Sequence, residues 1–142
     1  MNYALKEAQK AYNKMDVPVG CVIVHNGKII ARGYNKREKD QNVIKHAEIE
    51  AIDKACKALK SWRLNDCTIY TTLFPCPMCA SAIQQSRISK LVYLNDTNNK
   101  VLNDISLNIL FNENLNHRVK IDRIFLENSI IDDFFEKIRK EK

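Results

Sequence analysis

Short β-branched runs alternate with amphipathic segments along this chain, and few architectures accommodate that alternation. "VGCVIVHNGKIIARGYN" places two such runs around Asn26-Gly27, a pair that favours the tight turn of a β-hairpin. Ahead of it, Ala4, Leu5, Ala8, Ala11 and Tyr12 recur at helical spacing and predict a first helix ending near Asn13. A polar connection, "REKDQNVIK", leads into "HAEIEAIDKACKALK", where Ile49, Ile52, Cys56 and Leu59 form an apolar stripe. That stripe predicts a second helix with His46 at its beginning. "CTIYTTL" is a third strand stopped by Pro75, and "CPMCASAIQQS" a third helix that tolerates Pro77 in its first turn. A strand over "KLVYLN", a short helix over "DISLNILFN", a strand over "RVKI" and a closing helix over "LENSIIDDFFEKIRK" complete the pattern. No repeat or linker divides it. Strands separated by helices imply a single domain over residues 1–142, a three-layer α/β/α architecture around a mixed five-stranded sheet.

Composition narrows the setting. With 142 residues and 45% hydrophobic content, the chain can bury a core without disulfide staples. No stretch approaches the ~20 apolar residues of a membrane span, so no membrane association is expected. The opening "MNYALKEAQKAYNK" lacks the apolar core of a secretory signal. Five cysteines without an export signal imply free thiols in a reducing cytoplasm. A formal net charge of +6 admits an anionic partner such as nucleic acid, though a lysine-rich solvated surface accounts for the charge equally well.

Chemistry concentrates at two helix starts. Cys76 and Cys79 lie at i and i+3 on one face of a helix N-terminus, where unpaired N–H groups and the dipole lower thiol pKa values. Taken alone, the pair is compatible with buried structure, with redox chemistry or with metal binding. His46 opens the preceding helix as Cys76 opens this one, and two such starts can face each other across one end of a sheet. One histidine and two cysteines are one ligand short of a closed tetrahedral zinc site, which is the mark of a catalytic one. Glu48 would then be placed to take a proton from water and deliver it to a substrate. Alternatively, His46 merely caps the helix and Glu48 is a first-turn carboxylate facing the dipole. Glu48 is two residues from His46, so both serve one site only if His46 sits at the irregular helix start. His46, Glu48, Pro75, Cys76 and Cys79 together match the H-x-E…P-C-x-x-C signature of zinc nucleobase deaminases.

The rest of the chain resembles the bacterial tRNA-specific adenosine deaminases, within the cytidine and deoxycytidylate deaminase superfamily. The likeness runs through "DVPVG" at 16–20, "GYN" at 33–35, "HAEI" at 46–49, "WRL" at 62–64, "PCPMCA" at 75–80, "SRI" at 86–88, "NHRV" at 116–119 and "DFF" at 133–135. The resemblance implies a cytidine-deaminase-like fold and a homodimer with one zinc ion per chain, held by His46, Cys76 and Cys79. It implies hydrolytic deamination of adenosine to inosine at the wobble position of a tRNA anticodon, with Glu48 as proton shuttle. Val17, Asn35, Ala47 and Pro75 are implied to line the adenine pocket, with Asn35 bonding the base. Phe134 and Phe135, with Lys137 and Arg139 beyond, are implied to hold the anticodon loop. Ile130, Ile131, Phe134, Phe135 and Ile138 also fit a core-packing stripe, which would make at least one phenylalanine core. Cys21, Cys56 and Cys67 are expected as small buried residues, and His25 without a site role. His117 is either structural or a nucleic-acid contact.

The chain departs from the family at Phe74, where glutamate is usual, and at "LNDTNNKVLNDIS", where a glycine-containing loop is usual. Both departures spare the metal ligands and bear on substrate range. Two other functions remain open: deamination of a free nucleobase or nucleotide, and a zinc-stabilised tRNA-binding module without catalysis.

Overall fold

A computed structural model describes residues 1–141. Its elements, in order, are α1 (Asn2–Asn13), β1 (Gly20–His25), β2 (Lys28–Tyr34), α2 (Arg37–Asp40), α3 (Ala47–Leu59), β3 (Cys67–Leu73), α4 (Pro77–Gln85), β4 (Lys90–Asn95), α5 (Lys100–Phe111), β5 (Lys120–Arg123) and α6 (Ile130–Glu141). The five strands form one sheet in the order β2-β1-β3-β4-β5. β1 pairs antiparallel with β2 and β3, while β3, β4 and β5 run parallel, so the sheet is mixed. The hairpin turn has Asn26 at φ 51° and Gly27 at φ 75°, two positive values that match the right-handed twist of the flanking strands.

Helices cover both faces. Gly20 and Gly33 sit at adjacent register positions of the β1–β2 pair and therefore face opposite sides. A Cβ on Gly20 would overlap the backbone of Ala4 and Ala8 in α1, and one on Gly33 the backbone of Ala47 in α3. Glycine at these points lets a helix lie directly on the sheet from either side. α6 joins the α1 layer, where the Phe134 ring meets Tyr12 at 5.8 Å between centroids. α4 packs beside α3, and α5 against α4.

Four expectations need correction. The buried face of α3 is Ala47, Glu48, Ala51 and Ala55, not the stripe of Ile49, Ile52, Cys56 and Leu59. Small alanines sit closest to the sheet because only they allow the approach that Gly33 opens, while Ile52, Cys56 and Leu59 pack partly buried at the flank. α5 starts at Lys100 rather than Asp104, because the Asn99 side chain accepts the Leu102 N–H at 3.1 Å and caps the helix early. The polar connection after β2 contains a turn of helix, α2, and β5 begins two residues later than expected.

Candidate metal centre and pocket

β3 ends at Leu73, and Phe74 to Cys76 carry the chain over the end of the sheet into α4. Cys76 is the N-cap of α4 (φ −68°, ψ 168°) with Pro77 at the first helical position. His46 is the N-cap of α3 (φ −84°, ψ 153°). Both residues have extended backbone, so their side chains leave the helical pattern, and neither side chain caps its own helix. The His46 imidazole turns towards α4 instead: Nδ1 lies 3.6 Å from Cys76 Sγ and 3.5 Å from Cys79 Sγ. Zinc–sulfur bonds of ~2.3 Å and a zinc–nitrogen bond of ~2.0–2.1 Å at the tetrahedral angle put N and S about 3.6 Å apart. Both nitrogen–sulfur distances thus match an edge of that tetrahedron, and all three donor atoms lie within 4.8 Å of one another. Among the described residues they are the one group of histidine, cysteine or carboxylate side chains so arranged.

Electrostatics fit a cation as well. Hydrogen bonds from the Cys79 thiol and from His46 pull Cys76 down to about 4. The bond to Cys76, with burial, pushes Cys79 up, and the bond to Cys76 also raises His46. Protons here gather around one thiolate, at the place a divalent ion would take. Glu48, 3% exposed, has its Oε1 buried without a hydrogen-bond partner. Burial pushes its carboxyl up to about 7. A carboxylate oxygen left unpaired in a protein interior is costly. That oxygen lies beside three metal-type donors, where a reacting group rather than the fold would engage it. Among the described residues no fourth histidine, cysteine or carboxylate joins the group: Cys21 and Cys67 are buried outside it, and Cys56 is half-buried on α3.

A cavity of about 210 Å³ opens over this centre. His46, Glu48 and Cys76 border it, and Val17, Asn35, Ala47 and Pro75 all stand in its wall. Asn35 is held at both ends of its amide: Nδ2 donates to the Val17 carbonyl at 3.2 Å and Oδ1 accepts the Arg37 N–H at 3.2 Å. Asp16 secures the same corner. Its buried carboxylate accepts the Glu38 N–H at 2.7 Å and the Lys39 N–H at 3.0 Å, tying α2 to the segment after α1. The departures from the family line the same pocket. Phe74 is buried edge-on to Tyr93 at 4.9 Å, and Thr97 and Asn99 come from the segment leading into α5, Leu102 and Asn103 from its first turn. Thr97 Oγ1 donates to Asn103 Oδ1 at 2.6 Å, and Asn103 Nδ2 donates back to the Thr97 carbonyl at 3.1 Å.

Sequence reasoning missed Asp16, Arg37 and this α5 wall. Asp16 lies within "DVPVG" and carried a signal; the wall residues are polar members of an Asn-rich run with no periodicity to mark them. Phe134 needs correction as a residue offered to a partner: it is 1% exposed and lies between Tyr12 and Phe135. Phe135 is 43% exposed. The His117 ring donates to the Ile88 carbonyl at 2.7 Å, which is its structural reading.

The zinc-binding region of cytidine and deoxycytidylate deaminases matches residues 1–95. A tRNA-specific adenosine deaminase of Bacillus subtilis (strain 168) is 44% identical over 100% of this chain and 90% of its own length. The chloroplastic tRNA(adenine(34)) deaminase of Arabidopsis thaliana is 56% identical over 93 residues, 66% of this chain and 7% of that protein. A solved structure from work on A-to-I editing by tRNA:A34 deaminases at the wobble position of transfer RNA superposes with a TM-score of 0.79 at 35% identity, covering 87% of this chain and 95% of that one. Guanine deaminase from Bacillus subtilis follows at 0.67 and 29% identity, covering 98% and 90%. Similarity that spans the whole chain and its last helix, together with the metal centre, carries the assignment: this chain belongs to the family of tRNA-specific adenosine deaminases, within the cytidine and deoxycytidylate deaminase superfamily.

Proposed function

We propose that this protein converts adenosine to inosine by hydrolytic deamination at the wobble position of a tRNA anticodon. The observation that carries the reading is the convergence of His46 Nδ1, Cys76 Sγ and Cys79 Sγ beside the unpartnered Oε1 of Glu48, under a pocket that holds Asn35. His46, Cys76 and Cys79 would hold a zinc ion, whose chemistry when bound would be to lower the pKa of water to near ~7. Glu48 takes a proton at its carboxylate oxygen and delivers it to the departing amino group of the base. Burial around Glu48 excludes bulk water, so the proton passes between carboxyl and substrate. Asn35, fixed by Val17 and Arg37, directs its remaining hydrogen-bonding capacity at the base edge, while Val17, Ala47 and Pro75 give the ring apolar surroundings.

An anticodon loop suits such a pocket because an unstacked loop base can be extruded into it at low cost. The exposed face of Phe135, near Lys137 and Arg139, offers that loop an aromatic and cationic surface. The protein acts in the cytoplasm as a homodimer. Support for the second copy comes from α5, where Val101, Ile105 and Phe111 expose apolar side chains.

The test is direct. The zinc-loaded protein is incubated with an RNA hairpin carrying wobble adenosine, and separately with free adenosine, cytidine and guanine. Inosine in the hairpin, without ammonia from the free compounds, is expected. Comparable turnover of a free compound and the hairpin overturns the tRNA reading and leaves deamination standing.

A further inference from the structure

A line of cations leads from α6 to the mouth of the pocket, most of them fixed against an aromatic ring. The Lys137 ammonium lies 5.4 Å from the centroid of the Tyr12 ring. Two residues beyond Tyr12, Lys14 Nζ donates to the Tyr34 hydroxyl at 2.7 Å and stands 5.0 Å from that ring's centroid. Lys36 stands 4.9 Å from the same ring. Arg37, next along the chain, is in the pocket wall.

The acidic groups nearby leave much of this charge free, and Asp40 acts on Lys14 only from beyond ion-pair distance. Asp16 is buried and engaged by two backbone N–H groups. Glu50 takes Lys36 at 3.5 Å and Lys45 at 3.1 Å, so Lys36 is an anchored member of the line. Glu38 approaches Arg37 only at 3.8 Å, with both side chains solvated. Lys14 and Lys137 have no carboxylate partner within ion-pair distance among the described residues.

We propose that Lys137, Lys14 and Arg37 form a track for the phosphodiester backbone of single-stranded RNA on one side of the nucleoside in the pocket. This rests on the RNA substrate proposed above and assigns residues to its backbone. A base inserted into the cavity leaves its ribose and flanking phosphates at the mouth, where Arg37 stands. The next phosphates along the strand then need cations at increasing distance from the pocket, in the direction of Tyr34, Tyr12 and α6. A lysine already held against a ring has lost part of its rotamer freedom, so less entropy is lost when it meets a phosphate. A free nucleobase as substrate would leave the track unused.

The experiment measures Kd against KCl concentration for the zinc-loaded protein and an RNA hairpin carrying inosine, the product, at the wobble position, so that nothing is consumed. Lys14→Gln and Arg37→Gln should each weaken binding and reduce the log–log salt slope by about 0.7, and the double variant by about twice that. A charge-matched control, Lys28→Gln with Lys54→Gln, removes two exposed cations at the hairpin and on α3 and should keep the wild-type slope. Lys137→Gln gives the same readout from a different element, and melting temperatures verify that each variant is folded. Equal slope loss in the track double and the control double would mean that overall charge alone attracts the RNA, and the track is overturned. Failure of the wild type to convert a wobble-adenosine hairpin defeats the proposed function instead, and the slope comparison is unaffected by that result.

Discussion

In the proposed reaction the chemistry turns on Glu48. It lies on the buried face of α3, one helical position from Ala47, and its Oε1 has no protein partner. Folding alone would favour an apolar side chain there, since a buried carboxyl without a partner costs stability. The proton transfer proposed for it would account for its presence. Glu48→Gln keeps the shape of the side chain and removes the basic oxygen, so the variant should keep its zinc content and melting temperature. Turnover on a wobble-adenosine hairpin should fall by at least ~10²–10⁴-fold, the usual contribution of a general acid–base group. Metal analysis alongside single-turnover kinetics checks both halves. A variant that retains zinc and wild-type turnover would show that another group moves the proton.

At the scale of elements, α6 separates two roles that the sequence left superimposed. The five apolar residues of its stripe fit packing and RNA contact alike, and the structure divides the pair: Phe134 is enclosed by Tyr12 and Phe135, whereas Phe135 keeps an open face. Phe134→Ala should therefore lower stability by about 3–5 kcal/mol, the range for deleting a buried aromatic side chain. Phe135→Ala should leave stability less affected and cost about 1–3 kcal/mol of hairpin affinity if the ring stacks on a base. Thermal melting and hairpin binding, measured on both variants, resolve the two effects; the reverse pattern would exchange their roles. The metal centre was legible from the sequence because His46 and Cys76 occupy helix N-caps, with Cys79 in the first turn behind, and these starts are marked locally by His-Ala-Glu after a polar run and by Pro-Cys-Pro after a strand. The packing face of α3 was not. Alanine carries little hydrophobic signal, yet Ala47, Ala51 and Ala55 sit deepest because Gly33 lets the helix approach. The α5 wall was equally hidden, since its position depends on an asparagine cap and a Thr97–Asn103 pair rather than on any apolar period.

For the molecule as a whole, the metal ties together two helices that the sheet already supports. Cys76 and Cys79 belong to α4 and His46 to the start of α3, and both helices rest on a core that includes Ile69, Ile83, Leu91 and Leu110. Removing zinc should thus leave a folded protein, unlike a small zinc finger whose core is too slight to survive without its ion. It should still lower stability, because an ion that binds only the native state stabilises it by mass action. That contribution is about 2.7–4.1 kcal/mol at free metal 100 to 1,000 times Kd. For a domain of this length each kcal/mol corresponds to a few degrees, so chelation should lower the melting temperature by on the order of 10 °C. Circular dichroism of the chelated protein should retain its helical and strand signal below that transition, with deamination abolished and then restored by added zinc. A chelated protein that is unfolded at room temperature would assign the metal a structural necessity that this core does not imply. An unchanged melting temperature, with zinc shown to have been removed, would refute linkage between the ion and the packing of α3 against α4.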